Sequence, residues 1–190
     1  MKRILALTVG GEPDPLVCAI STRKPDFAIF FATTKPAGGS RRYIEEATEK
    51  GDSIISRASL PPGSYKIVEI DDPDDFDGCF NTIYKALQGY QAVQERWADY
   101  TGGTKTMSAA LALAALFLGW ELSLVTGPRF DTVKVQKGTE AARRVRLGNF
   151  QQEFVLRQVK LLYQQNDFAG AAKVLEDFLA NVDHDPVFTK

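Results

Sequence analysis

Short apolar runs alternate with stretches of helical length between residues 4 and 126, and this alternation restricts the possible fold more than any other feature. Residues 4–9 and 26–33 are almost continuously apolar, as strands buried on both faces of a parallel sheet are. Strands that alternate with helices form parallel sheets with right-handed crossovers. The sequence therefore predicts an α/β fold, a Rossmann-like parallel sheet flanked by helices, with a C-terminal helical hairpin.

Capping signals and hydrophobic periodicity locate the other elements. Ser40 can cap a helix that Gly51 closes, and the acidic residues 71–75 suit the positive end of another helix dipole. The helix that ends at Gly119 is apolar on nearly all sides, so we expect it inside the domain. Strands are predicted over residues 65–70, 121–126 and, at the edge, 132–136, and helices over residues 16–23, 41–50, 71 to about 97, and 107–118.

Beyond residue 137 the pattern changes to helices alone. Two amphipathic segments meet at Asn166 and Asp167, which predicts an αα-hairpin. We therefore divide the chain into an α/β domain, residues 1–137, and a helical segment, residues 138–190. A single hairpin has little core of its own, so it is expected to pack on the α/β domain, on a second subunit or on a domain outside this chain. Arg143, Arg144 and Arg146 are predicted to form a solvated helix face.

Charge and residue usage exclude several functional classes. The net charge of -1 and the pI of about 5.9 provide no positive field for binding long nucleic acid. Cys18 and Cys79 fit a reducing compartment, and the one histidine, His184, has no partner for a metal site, so neither metal nor cofactor is predicted. The longest apolar run, residues 109–118, is about half as long as a membrane span. Because the N-terminal apolar run is too short for a signal peptide, we expect a cytoplasmic protein with no membrane partner.

Two glycine-containing loops carry the residues best suited to bind an anion. In open parallel sheets, ligands bind beyond the carboxyl ends of the strands, where these loops are expected to lie. Paired glycines let the backbone approach a ligand, and the N–H groups of the following helix point at an anion. The second loop adds hydroxyls and one positive charge, at Thr101, Thr104, Lys105, Thr106 and Ser108.

Neither loop matches the common phosphate-binding motifs. A P-loop requires glycine directly before its lysine and another glycine five positions earlier, but Thr104 and Asp99 occupy those two positions. The first loop lacks the third glycine of the dinucleotide fingerprint, and Pro13 interrupts its spacing. Gly10 and Gly11 can equally have a purely steric role in a strand-to-helix turn.

The run Thr-Gly-Gly-Thr-Lys-Thr-Met-Ser-Ala-Ala-Leu at residues 101–111 resembles the strand-turn-helix hallmark of CRISPR-associated Rossmann-fold (CARF) domains. The pattern Leu-Thr-Val-Gly-Gly at residues 7–11, followed by a proline-containing helix start, is similar as well. The resemblance covers residues 1–137. Residues 166–172 are similar to the segment that leads into the effector domain of CARF-containing ribonucleases of type III CRISPR systems.

This resemblance implies a homodimeric sensor that binds a cyclic oligoadenylate, a second messenger of type III CRISPR antiviral defence. The ring would lie across the two-fold axis, where each subunit supplies the same donors to equivalent nucleotides. Binding would control an effector domain allosterically, and that domain is not complete in this chain. The implied ligand-binding residues are Thr8, Gly10, Gly11, Glu12, Thr33, Thr34, Lys35, Thr101, Gly102, Gly103, Thr104, Lys105 and Thr106.

Two alternatives stay open at this point. Some CARF domains cleave their own ligand, and this ring nuclease activity would need no metal, with Lys105 and Thr104 as candidate catalytic residues. The other alternative is a Rossmann-like regulator of a different nucleotide. The effector ribonuclease motif of the family, an arginine four residues before a histidine, is absent because Ala180 stands at that distance before His184. We therefore expect the effector to lie outside this chain.

Overall fold

The structure is a computed structural model that describes residues 2–34, 39–128, 135–136, 138–145 and 148–182. Its strands are β1 (Arg3–Thr8), β2 (Phe27–Ala32), β3 (Tyr65–Glu69), β4 (Glu95–Asp99), β5 (Glu121–Thr126) and β6 (Ala141–Arg144). Its helices are α1 (Asp14–Arg23), α2 (Arg42–Glu45), α3 (Ile54–Arg57), α4 (Phe76–Gln88), α5 (Lys105–Phe117), α6 (Gly148–Gln164) and α7 (Phe168–Val182).

The six strands form one sheet in the order β3-β2-β1-β4-β5-β6. All neighbouring strands run parallel except β6, which pairs antiparallel with β5. β1 lies near the middle, where Leu5 pairs with Ala28 of β2 and with Trp97 of β4. This arrangement confirms the predicted Rossmann-like α/β fold, with β6 as an antiparallel addition at the edge.

Helices cover both faces of the sheet, so the central strands are apolar on both sides. On one face, side chains of β1 and β2 pack with α1, α2 and α3, and Phe30 is fully buried there. α5 also contacts the sheet, through β1, β4 and β5, and packs closely against α4. The predicted burial of the alanine-rich helix is confirmed on its inner side, where Met107, Ala110 and Leu111 are buried, whereas Phe117 is exposed.

The predicted helix over residues 41–50 was wrong in its extent. α2 ends at Glu45 because Glu46 has extended backbone, and residues 48–51 form a tight turn instead. Ser40 does not cap this helix, since its hydroxyl accepts a hydrogen bond from the N–H of Thr33 at 3.1 Å. Residues 54–57 form α3, which the sequence pattern did not indicate and which Ser53 caps.

Two predictions further along the chain were also wrong. The helix expected to continue to about Trp97 ends at Gln88, and residues 95–99 form β4 next to β1. Arg143 and Arg144 do not lie on a helix face but in the edge strand β6, paired with Leu124 and Ser123. Arg146 and most of the predicted edge strand, residues 132–134, lie outside the described residues.

The chain divides into two compact units, Met1–Val145 and Arg146–Lys190. The second unit contains α6 and α7, which pack against each other and confirm the predicted hairpin. Asn166 has a left-handed backbone with φ of 60°, and the Asp167 carboxylate accepts a hydrogen bond from the N–H of Gly170 at 2.9 Å. Among the described residues, no helix is long and apolar enough to span a membrane.

A substitution in the sheet tests the assignment of the core. We expect Phe30→Ala to lower the free energy of unfolding by about 3–5 kcal/mol, because it leaves a cavity where the ring packs edge-on against Tyr65. The matched control is Phe117→Ala, since 61% of Phe117 is exposed, and its loss should be below about 1.5 kcal/mol. Urea unfolding of both variants measures the difference. Equal losses in the free energy of unfolding would contradict the assignment of Phe30 to the core.

Candidate ligand site

The two glycine-containing loops meet at the point where the strand order of the sheet reverses. The chain passes from β1 through α1 to β2 on one side, while β4 follows on the other side of β1 and leads through α5 to β5. At such a switch point the connections leave the sheet in opposite directions and open a crevice beyond the strand ends. Thr8 ends β1 and Asp99 ends β4, so the predicted loops border this crevice.

The glycines of these loops allow the two chain segments to touch. A Cβ atom on Gly102 would lie 2.3 Å from the carbonyl oxygen of Thr8, and one on Gly10 would lie 2.8 Å from the nitrogen of Gly103. Gly103 also has a φ of +82°, a conformation that side chains disfavour. Gly11 differs, because a Cβ atom there would meet nothing within 4 Å. The loop-to-loop contact therefore accounts for Gly10, Gly102 and Gly103, and Gly11 faces open space.

Hydroxyl groups fasten this contact from within. The Thr8 hydroxyl donates to the carbonyl oxygen of Gly102 at 2.7 Å, and the Ser108 hydroxyl donates to the same oxygen at 2.7 Å. Thr8 is fully buried. Its side chain thus holds the loop in place and lies beneath the surface that a ligand could reach.

The first turn of α5 presents the groups that remain for an anion. Thr104 caps the helix by accepting from the N–H of Met107 at 3.2 Å, and its hydroxyl donates to the carbonyl oxygen of Pro73 at 2.7 Å. Within the described part of the chain, the N–H groups of Lys105 and Thr106 have no acceptor, as is usual for a first helical turn. The Lys105 side chain is exposed, and no acid stands in this turn to oppose an anion.

Asp99, which is not among the predicted site residues, shapes the turn from below. Its carboxylate accepts from the N–H of Thr101 at 3.1 Å, and the Thr101 hydroxyl accepts from the N–H of Val125 at 2.8 Å. Asp99 is only 1% exposed, and its Oδ2 has no hydrogen-bond partner in the described chain. Burial raises the pKa of Asp99 above its ordinary value, although the hydrogen bonds from Thr101 oppose this shift. Residues 95–99 carry no apolar run that would mark Asp99 as the end of a strand, so the sequence pattern did not indicate this role.

The other predicted residues lie along the same edge of the sheet. Glu12 follows Gly11, and its carboxylate accepts from the ammonium group of Lys50 at 2.8 Å. Thr33 is buried after β2, where its hydroxyl accepts from the N–H of Ser40 at 3.0 Å. The Thr34 hydroxyl donates to the carboxylate of Glu69 at the end of β3. Lys35 lies outside the described residues.

The chemistry of this edge suits an anionic ligand held by main-chain and ammonium donors. The amide groups at the start of α5 carry partial positive charge, and Lys105 adds a full charge beside them. No cluster of three or more metal-binding side chains occurs in the ranges that the structure describes. The predicted loops are thus brought together, but most of their hydroxyls serve the fold.

Comparison with solved structures supports the fold assignment. The chain is similar to Csm6 of Enterococcus italicus bound to cyclic hexa-2'-fluoro-hexa-dAMP, with 15% identity, a TM-score of 0.66 and 93% of this chain covered. It is also similar to Can2 of Sulfobacillus thermosulfidooxidans in complex with cyclic tetra-adenylate, with 13% identity, a TM-score of 0.53 and 66% covered. A Vibrio cholerae protein matches with 13% identity and a TM-score of 0.52 over 65% of the chain.

These likenesses confirm, at the level of the fold, the resemblance drawn from the motifs. The chain spans 50% of the Csm6 structure, 32% of the Can2 structure and 30% of the Vibrio cholerae structure. Neither a protein-family model nor a curated protein sequence matches the chain.

The close approach of the two loops gives a stability prediction. We expect Gly102→Ala to lower the free energy of unfolding by about 1–3 kcal/mol, because the added methyl group collides with the main chain of Thr8. Gly11→Ala is the matched control, and its change should stay within about 0.5 kcal/mol, since space is open there. Urea unfolding of the two variants measures these changes. An unchanged free energy of unfolding for Gly102→Ala would show that the loops do not touch.

The buried carboxylate gives a pH prediction. Because the folded-state pKa of Asp99 is raised, the folded protein keeps a proton that the unfolded chain has already released, just above the ordinary value of 3.8. The free energy of unfolding of the unmutated protein, minus that of Asp99→Asn, should therefore fall as the pH rises from 3.8 to the raised folded-state pKa of Asp99. Above that pKa the difference should stay constant. Urea unfolding of both proteins across this range measures the difference.

Asp26 at the opposite end of the sheet is the matched control for this titration. The N–H groups of Lys2 and Arg3 lower the pKa of its carboxyl. Stability relative to Asp26→Asn should therefore be present above pH 3.8 and be lost as the pH falls through the lowered folded-state pKa. The same pH trend in the comparison with Asp99→Asn and in the comparison with Asp26→Asn would contradict the raised pKa of Asp99.

Proposed function

We propose that this chain is a sensor that binds a cyclic oligoadenylate and transmits its presence to an effector in type III CRISPR defence. The observation that carries this proposal is the turn of residues 101–105 at the switch point of the sheet. There the glycine loop of β1 supports the N-terminus of α5, which offers unpaired N–H groups and Lys105. Such a surface, with unpaired N–H groups and a cation, suits phosphate groups better than a neutral metabolite.

The ligands of two proteins with this fold support a cyclic nucleotide polymer as the anion. Csm6 and Can2, which share this fold, are bound to a cyclic hexa-adenylate analogue and to cyclic tetra-adenylate, respectively. The CARF-like run at residues 101–111 begins within the turn that faces the crevice. We infer that the phosphates of such a ring lie against the N-terminus of α5.

We further propose that two copies of the chain share one ligand. A ring of repeated nucleotides has rotational symmetry, so a two-fold axis through its centre lets both subunits make equivalent contacts. Each charge-assisted hydrogen bond to phosphate contributes about 1.5–3 kcal/mol, and duplication of the contacts adds affinity without a basic protein. This agrees with the net charge of -1.

The domain assignment follows from this proposal. The CARF-like sensing domain, predicted over residues 1–137, acts in the cytoplasm, and its sheet continues through β6 at Ala141–Arg144. In the predicted segment 138–190, helices α6 and α7 connect this domain to an effector, most simply a ribonuclease. The second compact unit, with α6 and α7, supplies helices for this connection. Ring nuclease activity is the second candidate function, because Lys105 is an exposed cation of the kind that stabilises the negative charge developing during phosphodiester cleavage.

Binding of defined rings tests the proposal directly. The chain is mixed with labelled cyclic tri-, tetra- and hexa-adenylate, the Kd is measured by calorimetry, and the stoichiometry is determined by sedimentation. We expect tight binding of one ring per two chains. Linear products ending in a 2′,3′-cyclic phosphate would add ring nuclease activity, and no binding of any ring would contradict the proposal.

Lys105→Ala tests the position of the phosphates. We expect its Kd to rise about tenfold or more, because one charge-assisted contact per subunit is lost. Lys85→Ala is the matched control, since Lys85 is an exposed lysine in the last turn of α4, at the opposite end of that helix from the crevice. An unchanged Kd for Lys105→Ala, or an equal rise for Lys85→Ala, would show that the ring binds elsewhere.

A further inference from the structure

A segment between β2 and β3 is attached to the β1–α1 loop by two ion pairs. Lys50 Nζ lies 2.8 Å from Glu12 Oε1, and the Arg57 guanidinium lies 2.7 Å from the Asp14 carboxylate at the start of α1. α3 is anchored beneath by Ile54, which is fully buried. Residues 48–57 are therefore fixed in place beside the glycine loop of β1, and we call them the wall of the crevice.

Lys50 stands at the tip of a tight turn in this wall. Thr48 and Gly51 exchange two main-chain hydrogen bonds, at 2.9 and 3.0 Å, and the N–H of Lys50 donates to the Thr48 hydroxyl at 3.2 Å. Gly51 has a φ of +108°, which closes the turn. The turn is held independently of the Lys50 side chain, so this side chain can exchange partners while the backbone stays in place.

The electrostatics of the crevice give the Lys50–Glu12 pair a role beyond stability. A pair with side chains 32% and 55% exposed contributes little to folding, because water screens it. Glu12 stands in the loop that borders the crevice, where an unneutralised carboxylate would repel phosphate. Pairing with Glu12 raises the pKa of Lys50, so its ammonium group stays charged. Glu49, next to it in the turn, lies 3.7 Å from the Arg42 guanidinium.

We propose that Lys50 is a second ligand-binding cation, which Glu12 holds at the mouth of the crevice until a phosphate replaces this carboxylate. Lys105 binds the ligand from the β4 side, and Lys50 binds it from the β1 side. This inference rests on the proposed function, and it assigns a phosphate contact to a residue outside both glycine loops.

A double-mutant cycle separates direct binding from simple neutralisation of Glu12. The Kd of cyclic tetra- and hexa-adenylate is measured at several salt concentrations for Lys50→Ala, Glu12→Gln and the double variant. Arg3→Ala is the matched control, because Arg3 forms a similarly exposed ion pair with Asp26 at the opposite edge of the sheet. Each protein is first checked for an unchanged unfolding midpoint.

We expect Lys50→Ala to raise the Kd at least tenfold and Glu12→Gln to lower it a few-fold, since the freed ammonium group no longer competes with a carboxylate. In the Glu12→Gln background, Lys50→Ala should still raise the Kd several-fold. The slope of log Kd against log salt should decrease by about 0.7 for each phosphate contact that is lost. Arg3→Ala should change neither quantity.

The inference is overturned if Lys50→Ala has no effect in the Glu12→Gln background, or if it behaves like Arg3→Ala. A titration with pyrophosphate separates a failure of the Lys50 inference from a failure of the proposed function. Binding is followed by the NMR signals of 13Cε-labelled lysine side chains. If no ring binds but pyrophosphate shifts the Lys50 signal, the identity of the ring is wrong and the anion contact stands. If pyrophosphate leaves the Lys50 signal unmoved and no ring binds, both are wrong.

Discussion

The contact between the loops that follow β1 and β4 is the constraint on which the candidate site depends. Gly102 and Gly103 lie against Thr8 at distances that leave no room for a Cβ atom. Since β1 and β4 are neighbours in the sheet, their ends are fixed by main-chain pairing before the loops begin. The glycines then let one loop rest on the other, and this contact sets the position at which α5 starts.

This arrangement divides the polar groups of the site between structure and binding. The hydroxyls of Thr8, Thr104 and Ser108 donate to main-chain oxygens of the protein. Within the described chain, the groups in the first turn of α5 that no such bond uses are the main-chain N–H groups of Lys105 and Thr106, the Thr106 hydroxyl and the Lys105 ammonium group.

Four of the six strands, β1, β2, β3 and β5, could be predicted from the sequence, whereas β4 and β6 could not. All four lie within one or two residues of their predicted bounds. Burial on both faces leaves a nearly continuous apolar run in β1 and β2, whereas β3 and β5 contain polar residues between their apolar ones. β4 begins with Glu95 and Arg96, and β6 is Ala-Ala-Arg-Arg, so neither carries such a run. Their positions are set by pairing with β1 and β5, which is a tertiary effect.

The same difference explains what the sequence revealed about the site. The loops were found because glycine and hydroxyl residues cluster in them, but the roles of Asp99 and Lys50 depend on contacts between distant segments. Asp99 illustrates the energetic cost of such a contact. Burial, with one carboxylate oxygen left without a hydrogen-bond partner in the described chain, destabilises the charged form of this side chain. Its other oxygen holds the N–H of Thr101, and Thr101 in turn receives the N–H of Val125 from β5. These two hydrogen bonds attach the turn to β4, through Asp99, and to β5, through Val125, and apolar packing alone would not hold a glycine-rich loop in this way.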